Sequence, residues 1–401
     1  MSSMRSEGSL DGGKRQVVVL GAGVVGLSTA LVLQQSGLYQ VVLVSEFVVL
    51  PPNNLQEPTK VIETKNGKFK FYDQAKVPAL NMATPYSGAH WRSLASNSDY
   101  FLQQCELETF GRFSELHRSG ISYMGTPFVT KLRGLDYYNE APEEKPWFFD
   151  YASNLNIKRS KTEHSDMISG VELAAEYDTF VVNIPVYLYY LYKEFISAGG
   201  QFKSAKVSSL GELEKVAFEM LDNHRDFTII NCSALGSATL TDVNDSEMYP
   251  IRGQVVIVYA PSVKRTVTRL GGKYMRYVIP RGDGTVVLGG THIPNVTDTQ
   301  EDTQITSDIL KDTLKLTPEL GLDASPGSDL IEELRKKVLA VKVGFRPGRH
   351  GGVRLERDTT IGSITGKSLN VVHNYGHSGF GVQSSWGYAN AVYRMLIPNK
   401  L

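Results

Sequence analysis

Gln16-Val17-Val18-Val19-Leu20 is a short run rich in β-branched residues, the pattern of a strand buried on both faces of a parallel sheet. The period then becomes helical: Leu27, Ala30, Leu31 and Leu33 form one apolar stripe that stops at Ser36-Gly37. A second apolar strand, Val41 to Val44, follows, with Glu46 just beyond it. Val186 to Ala198 reads as a helix, and Phe227 to Asn231 as a buried strand ending at Cys232-Ser233. Gln254 to Tyr259 has the alternation of an antiparallel strand. A strand beginning at Tyr277 and its partner, Thr285 to Gly289, flank Arg281-Gly282-Asp283-Gly284, a D-G hairpin turn. Period-two alternation puts Met275, Tyr277 and Ile279 on one face and Arg276 and Val278 on the other. Near the C-terminus an apolar strand ends at His373-Asn374, and a glycine-bearing loop leads into a helix from about Val382 to Met395.

The first strand, helix and strand form a βαβ unit with Gly21-Ala22-Gly23-Val24-Val25-Gly26 in its turn. This is G-x-G-x-x-G, and Glu46 stands about 20 residues after the last glycine, where a ribose hydroxyl finds its acceptor in the dinucleotide fingerprint. The spacing predicts a pyrophosphate at the helix N-terminus and does not choose between FAD and NAD. Position at the N-terminal edge of a long chain, with no second such unit, leans towards FAD.

Composition narrows the class. The chain has 401 residues, more than one core accommodates, so two joined domains are expected. Lys plus Arg and Asp plus Glu are each 42, which removes the electrostatic case for a nucleic-acid or anionic-membrane partner. The two cysteines, Cys105 and Cys232, form no zinc or disulfide pattern, and no metal is expected. No apolar run approaches membrane-span length. The last three residues, Asn399-Lys400-Leu401, resemble the S-K-L peroxisomal address, so a peroxisomal location is expected, with the import receptor as partner.

Val371 to Ala389, read as VVHNYGHSGFGVQSSWGYA, resembles the C-terminal signature of the D-amino-acid oxidase family. A serine-hydrolase elbow is set aside because Phe380 stands where G-x-S-x-G needs glycine. Further blocks resemble the family in order: Thr84 to Trp91, Pro250 to Gln254, Tyr277 to Pro280 with Leu288 to Thr291, and Gly344 to Arg349 followed by Gly352 to Glu356. The stretch from Phe47 to Ala83 is longer than the family's corresponding loop.

The resemblance implies an α/β fold in which a Rossmann-like FAD-binding domain is interleaved with an α+β substrate domain on an antiparallel sheet. The FAD domain is expected to take residues 1–95, 184–245 and 350–401, and the substrate domain 96–183 and 246–349. It implies flavin contacts from Gly21, Ala22, Gly23, Val24, Val25, Gly26, Glu46, Ser87, Gly88, Val207, Ser378, Gly379, Gly381, Val382 and Gln383. It also implies Arg354 as the anchor of a substrate carboxylate, a task that suits a planar two-pronged guanidinium. Tyr277 would share that carboxylate, and Gln383 would stand near the substrate amine. The implied reaction is hydride transfer from Cα of a D-amino acid to FAD, giving a 2-oxo acid, ammonia and, with dioxygen, hydrogen peroxide. No side chain is needed as a base, so His373 and His377 are read as structural. The alternative substrate class is acidic D-amino acids, which need a second cation; Arg269, Arg276, His90 and His292 are the candidates. A glycine or sarcosine oxidase, a flavin-binding scaffold without turnover and a nicotinamide dehydrogenase are further alternatives. Oligomeric state stays open.

Overall fold

The computed structural model describes residues 13–397 except 49–57, 65–66, 72–78, 124, 160–167, 223–225, 272–274, 323, 325–326 and 363–365. The terminal tripeptide lies outside the described residues. In chain order the strands begin β1 (Arg15–Leu20), β2 (Tyr39–Ser45), β3 (Lys60–Thr64), β4 (Gly67–Phe71), β5 (Ser122–Tyr123), β6 (Thr126–Pro127), β7 (Val129–Tyr138), β8 (Asn156–Arg159), β9 (Leu173–Val182) and β10 (Gln201–Ser204). They continue as β11 (Phe227–Asn231), β12 (Met248–Tyr259), β13 (Arg265–Leu270), β14 (Arg276–Pro280), β15 (Thr285–Gly289), β16 (Ile293–Pro294), β17 (Val338–Arg349), β18 (Arg354–Asp358) and β19 (Asn370–Tyr375). The helices are α1 (Val24–Gln35), α2 (Tyr100–Arg118), α3 (Ile184–Ser197), α4 (Leu213–Met220), α5 (Thr303–Leu316), α6 (Leu330–Lys336) and α7 (Gly381–Leu396).

One sheet has the order β10-β2-β1-β11-β19-β18, parallel throughout except for β18 at its edge. Its central strands carry the apolar runs because helices cover both faces: Val17, Val19 and Val41 join one core with α1 and α3, while Val18, Val42 and Val44 join another with α4. The second sheet runs β16-β12-β15-β14-β13-β7-β9-β8, with β17 also paired to β12, and is antiparallel except where β13 meets β7. Val256, Val258, Val278, Val286 and Leu288 point from it into a core shared with α5 and α6. Strands of the first sheet come from residues 15–45, 201–231 and 354–375, and those of the second from 129–182 and 248–349.

The α2 helix departs from the segment it was grouped with. Although it precedes the strands of the second sheet, it crosses α7, and the two helices touch backbone to backbone: a Cβ on Gly387 would lie 2.1 Å from Cys105 Cα. Thr109 Oγ1 accepts from the backbone N–H groups of Trp386 and Gly387, and the Arg112 guanidinium stacks on Trp386. In the long stretch after β2, the β3–β4 hairpin reaches the second sheet, where Phe69 stacks on Tyr259 at 4.2 Å. Among the described residues no helix is long and apolar enough to cross a membrane, and no group of metal-ligating side chains occurs.

Candidate active site

The C-terminal ends of β1, β2, β11 and β19 open onto one cavity of about 450 Å³, the place where a parallel sheet receives its ligand. Beyond Leu20 the chain turns through Gly21, whose φ of 105° suits glycine alone. Gly26 closes the turn: a Cβ there would lie 1.9 Å from the Gly21 carbonyl oxygen, so helix and strand touch. All six residues from Gly21 to Gly26 form wall of the cavity. Gly23 offers no capping side chain, Thr84 Oγ1 accepts from the Val24 N–H at 3.2 Å, and the first turn holds no acid, which leaves the rest of the positive helix end to an anion. The α7 helix starts without a side-chain cap from Phe380 and without a first-turn acid, with Gly381, Val382 and Gln383 on the wall.

Backbone strain concentrates here. Ala89, Ala234 and Ser378 hold positive φ values of 60°, 52° and 45°, and all three border the cavity. Ser87, Gly88 and Gly379 border it too. Among the described residues its wall contains no Asp, Glu or Lys, while Arg92 and Arg346 are present. Two helix N-termini without first-turn acids, glycine-lined close approach and an absence of acids fit an anionic dinucleotide with a flat ring at the α7 end. Ser378 Oγ makes no bond to a histidine among the described residues, so the hydrolase alternative finds no support.

At the other end stands the second sheet. Met275, Tyr277 and Ile279 face the cavity, whereas Val278 lies in the core behind and Arg276 pairs with Asp312 at 2.9 Å on the far side. Glycine opposite Tyr277 makes room for its ring: a Cβ on Gly289 would lie 2.1 Å from Tyr277 Cζ, and one on Gly290 2.6 Å from its hydroxyl. Arg346, on β17, donates from Nη1 to the Thr291 carbonyl at 3.1 Å. The guanidinium and the Tyr277 hydroxyl therefore meet at the neighbouring residues Gly290 and Thr291. Arg346 has no carboxylate partner among the described residues.

Arg354 does not reach this cavity, which corrects the expectation that it anchors substrate. Its Nε donates to Glu356 at 2.6 Å, Nη1 to the Tyr375 hydroxyl at 3.0 Å and Nη2 to Asp358 at 3.3 Å. The cause is strand placement. Arg354 starts the edge strand of the first sheet, opposite Tyr375, while the register Ile251↔Arg346 sets Arg346 in the second sheet facing the cavity. Glu46 and Val207 also lie away from the wall. Glu46 is exposed and faces Lys206 at 3.9 Å, leaving Ser45 as the β2 residue at the cavity. Val207 packs against the core beneath α4.

Gln383 is buried, borders the cavity and donates from Nε2 to Glu106 Oε1 at 2.6 Å. The histidines there are held neutral. Burial, with Arg92 adding to it, pushes His90 down to about 3, and burial alone does the same to His377. His292 is lowered by burial and then by Arg346. His373 is structural: fully buried, its ring bonds Asn231 and Asp358. Arg92 keeps its charge through buried Asp136 at 2.8 Å, which also accepts from Tyr177. Sequence reasoning missed Arg346, Arg92 and Glu106. Glu106 was findable, since it lies on the buried stripe of α2 with Leu102, Cys105, Thr109 and Phe113.

A dinucleotide cradle facing an arginine- and tyrosine-bearing sheet suits a flavin-dependent oxidoreductase, and comparison with known proteins shows that class. The family model for FAD dependent oxidoreductases, DAO, matches residues 82–395. The D-amino-acid oxidase of Schizosaccharomyces pombe is 32% identical over 377 residues, covering 94% of each chain. The D-aspartate oxidase of Cryptococcus neoformans var. grubii is 30% identical over 94% of this chain and 95% of its own. Among solved structures, glycine oxidase from Bacillus cereus superposes with a TM-score of 0.63 at 14% identity, covering 95% of this chain and 94% of its own, a likeness of fold. The chain belongs to the D-amino-acid oxidase family and is an FAD-dependent enzyme acting on a small molecule.

Proposed function

We propose that this protein oxidises D-amino acids to 2-oxo acids, releasing ammonia and hydrogen peroxide, with a pocket suited to neutral side chains. The carrying observation is the convergence of an Arg346 guanidinium without a carboxylate partner and the Tyr277 hydroxyl on Gly290 and Thr291. A planar guanidinium takes both oxygens of an α-carboxylate and so fixes rotation as well as position. With the carboxylate held there, Gln383 lies within the same cavity for the amine. FAD, when bound, supplies the hydride acceptor and returns two electrons to dioxygen. The residues supply orientation and exclusion of water, and neutral His90 and His377 are not placed to act as bases at neutral pH. The imino acid that results hydrolyses in water, which accounts for the ammonia.

Neutral side chains are favoured because the two candidate arginines for a second carboxylate turn away. Arg269 donates to Asn139, and Arg276 is engaged with Asp312 and the Gly290 carbonyl behind the sheet. His90 and His292 remain at the cavity but are depressed below their ordinary pKa, so neither supplies a full charge at pH 7. Peroxide release by the FAD-loaded protein with D-alanine, D-aspartate and L-alanine tests this. Turnover of D-alanine above D-aspartate, with none of L-alanine, is expected. D-aspartate alone would move the reading to an acidic-selective oxidase, and no turnover of any D-amino acid would overturn it. Peroxisomal residence, which would keep the peroxide contained, rests on Asn399-Lys400-Leu401, and import of a fluorescent fusion ending in those residues tests it.

A further inference from the structure

Glu106 is fully buried in the middle of α2, and no cation pairs with it among the described residues. Its Oε2 accepts from Ser93 Oγ at 2.5 Å, and its Oε1 accepts from the Leu94 N–H at 3.2 Å and from Gln383 Nε2 at 2.6 Å. The backbone around it is tied in as well, since Trp91 Nε1 donates to the Glu106 carbonyl at 3.0 Å. A buried carboxylate without a cation is costly, and hydrogen bonds alone offset it here. Two of its partners, Leu94 and Gln383, border the active-site cavity.

The consequence concerns an amide with two unlike ends. A carboxylate oxygen that already accepts from a backbone N–H can only accept again, so Gln383 must turn its NH2 towards Glu106. That leaves the carbonyl oxygen, Oε1, as the end free to face the cavity. We propose that Glu106 is a positioning residue that fixes the polarity of the Gln383 amide, so that Gln383 Oε1 presents an acceptor to an N–H of the substrate amine. This rests on the amino-acid oxidase reading above.

Two replacements of Glu106 separate these roles. E106Q keeps an acceptor Oε1 for Gln383 and Leu94, whereas E106L keeps bulk but lets the amide rotate. The experiment measures kcat and KM for D-alanine, and the affinity for propionate from the visible flavin spectrum, on FAD-loaded E106Q, E106L, Q383L and E106L/Q383L proteins. Propionate has the carboxylate but no amine. Expected are a loss of roughly tenfold or more in kcat/KM for E106L and for Q383L, a double variant no worse than Q383L, E106Q within about threefold of wild type, and unchanged propionate affinity throughout. Multiplying effects in the double variant, weakened propionate binding in E106L, or an E106Q as impaired as Q383L would each overturn the proposal. If E106L does not fold, E106Q against Q383L decides by the same criterion. A wild type that binds propionate but oxidises no D-amino acid would instead refute the activity on which the proposal depends.

Discussion

Three arginines, Arg346, Arg349 and Arg354, lie within nine positions of one another, and only the fold separates their tasks. Arg346 projects to the cavity, Arg349 pairs with Asp245 at 2.8 Å, and Arg354 is engaged by Glu356, Tyr375 and Asp358. Sequence spacing could not choose among them, because the answer depends on the register of β17 against β12, set by residues about a hundred positions apart. Tyr277 was readable for the opposite reason: its face follows from alternation in a short hairpin. Exchange with lysine tests the assignment, since lysine keeps the charge but loses the fork. Arg346→Lys should lower kcat/KM for D-alanine by roughly 30-fold or more, the scale of disrupting a buried charge contact, mostly through KM. Arg354→Lys should stay within about threefold, because it touches the cavity only through Tyr375. The reverse order in steady-state kinetics would restore Arg354 as the anchor.

At the scale of elements, the legible pieces were those whose signals are local. The β1–turn–α1–β2 unit, the β14–β15 hairpin and the β19–loop–α7 unit each lie where the period and turn residues place them. The position of α2 was not legible, because its stripe announces a buried helix without naming its partner. The partner is α7, and the crossing is so close that Gly387 has no space for a Cβ against the Cys105 backbone. Backbone cannot yield as a flexible side chain can. Gly387→Ala should therefore separate the helices, destabilising the protein by about 1–3 kcal/mol. Because α2 carries Glu106 and α7 carries Gln383, the same change should lower activity beyond what the shift in melting explains. Thermal melting at a fixed heating rate, beside kcat/KM at 25 °C, checks this, and an unchanged melting curve would mean the crossing is looser than it looks.

For the whole molecule, the cavity lies where the two sheets meet, and the histidines that border it couple catalysis to stability. His377 packs edge-on against Tyr388 at 4.5 Å with its Nε2 buried and without a hydrogen-bond partner, and His90 Nε2 is in the same state. Burial holds both near 3, against an ordinary value of 6.5 that the unfolded chain regains. Between those values the unfolded state binds more protons than the folded one. Stability is then fully present above pH 6.5 and declines as pH falls towards 3. Each histidine can contribute on the order of a few kcal/mol across that window, with relaxation of the site reducing the figure. Carboxylates add acid sensitivity of their own, as at Asp245, where burial is outweighed by hydrogen bonds from Arg349 and Tyr375 that hold it below its ordinary value, so the histidine share must be isolated by substitution. His377→Phe preserves an aromatic ring against Tyr388 and cannot take up a proton. The melting temperature of wild type should fall steeply from pH 7 to 4.5, and that of His377→Phe should fall less steeply over the same interval, even if it starts lower at pH 7. Parallel curves would show that His377 gains no proton on unfolding and that acid lability comes from the carboxylates instead.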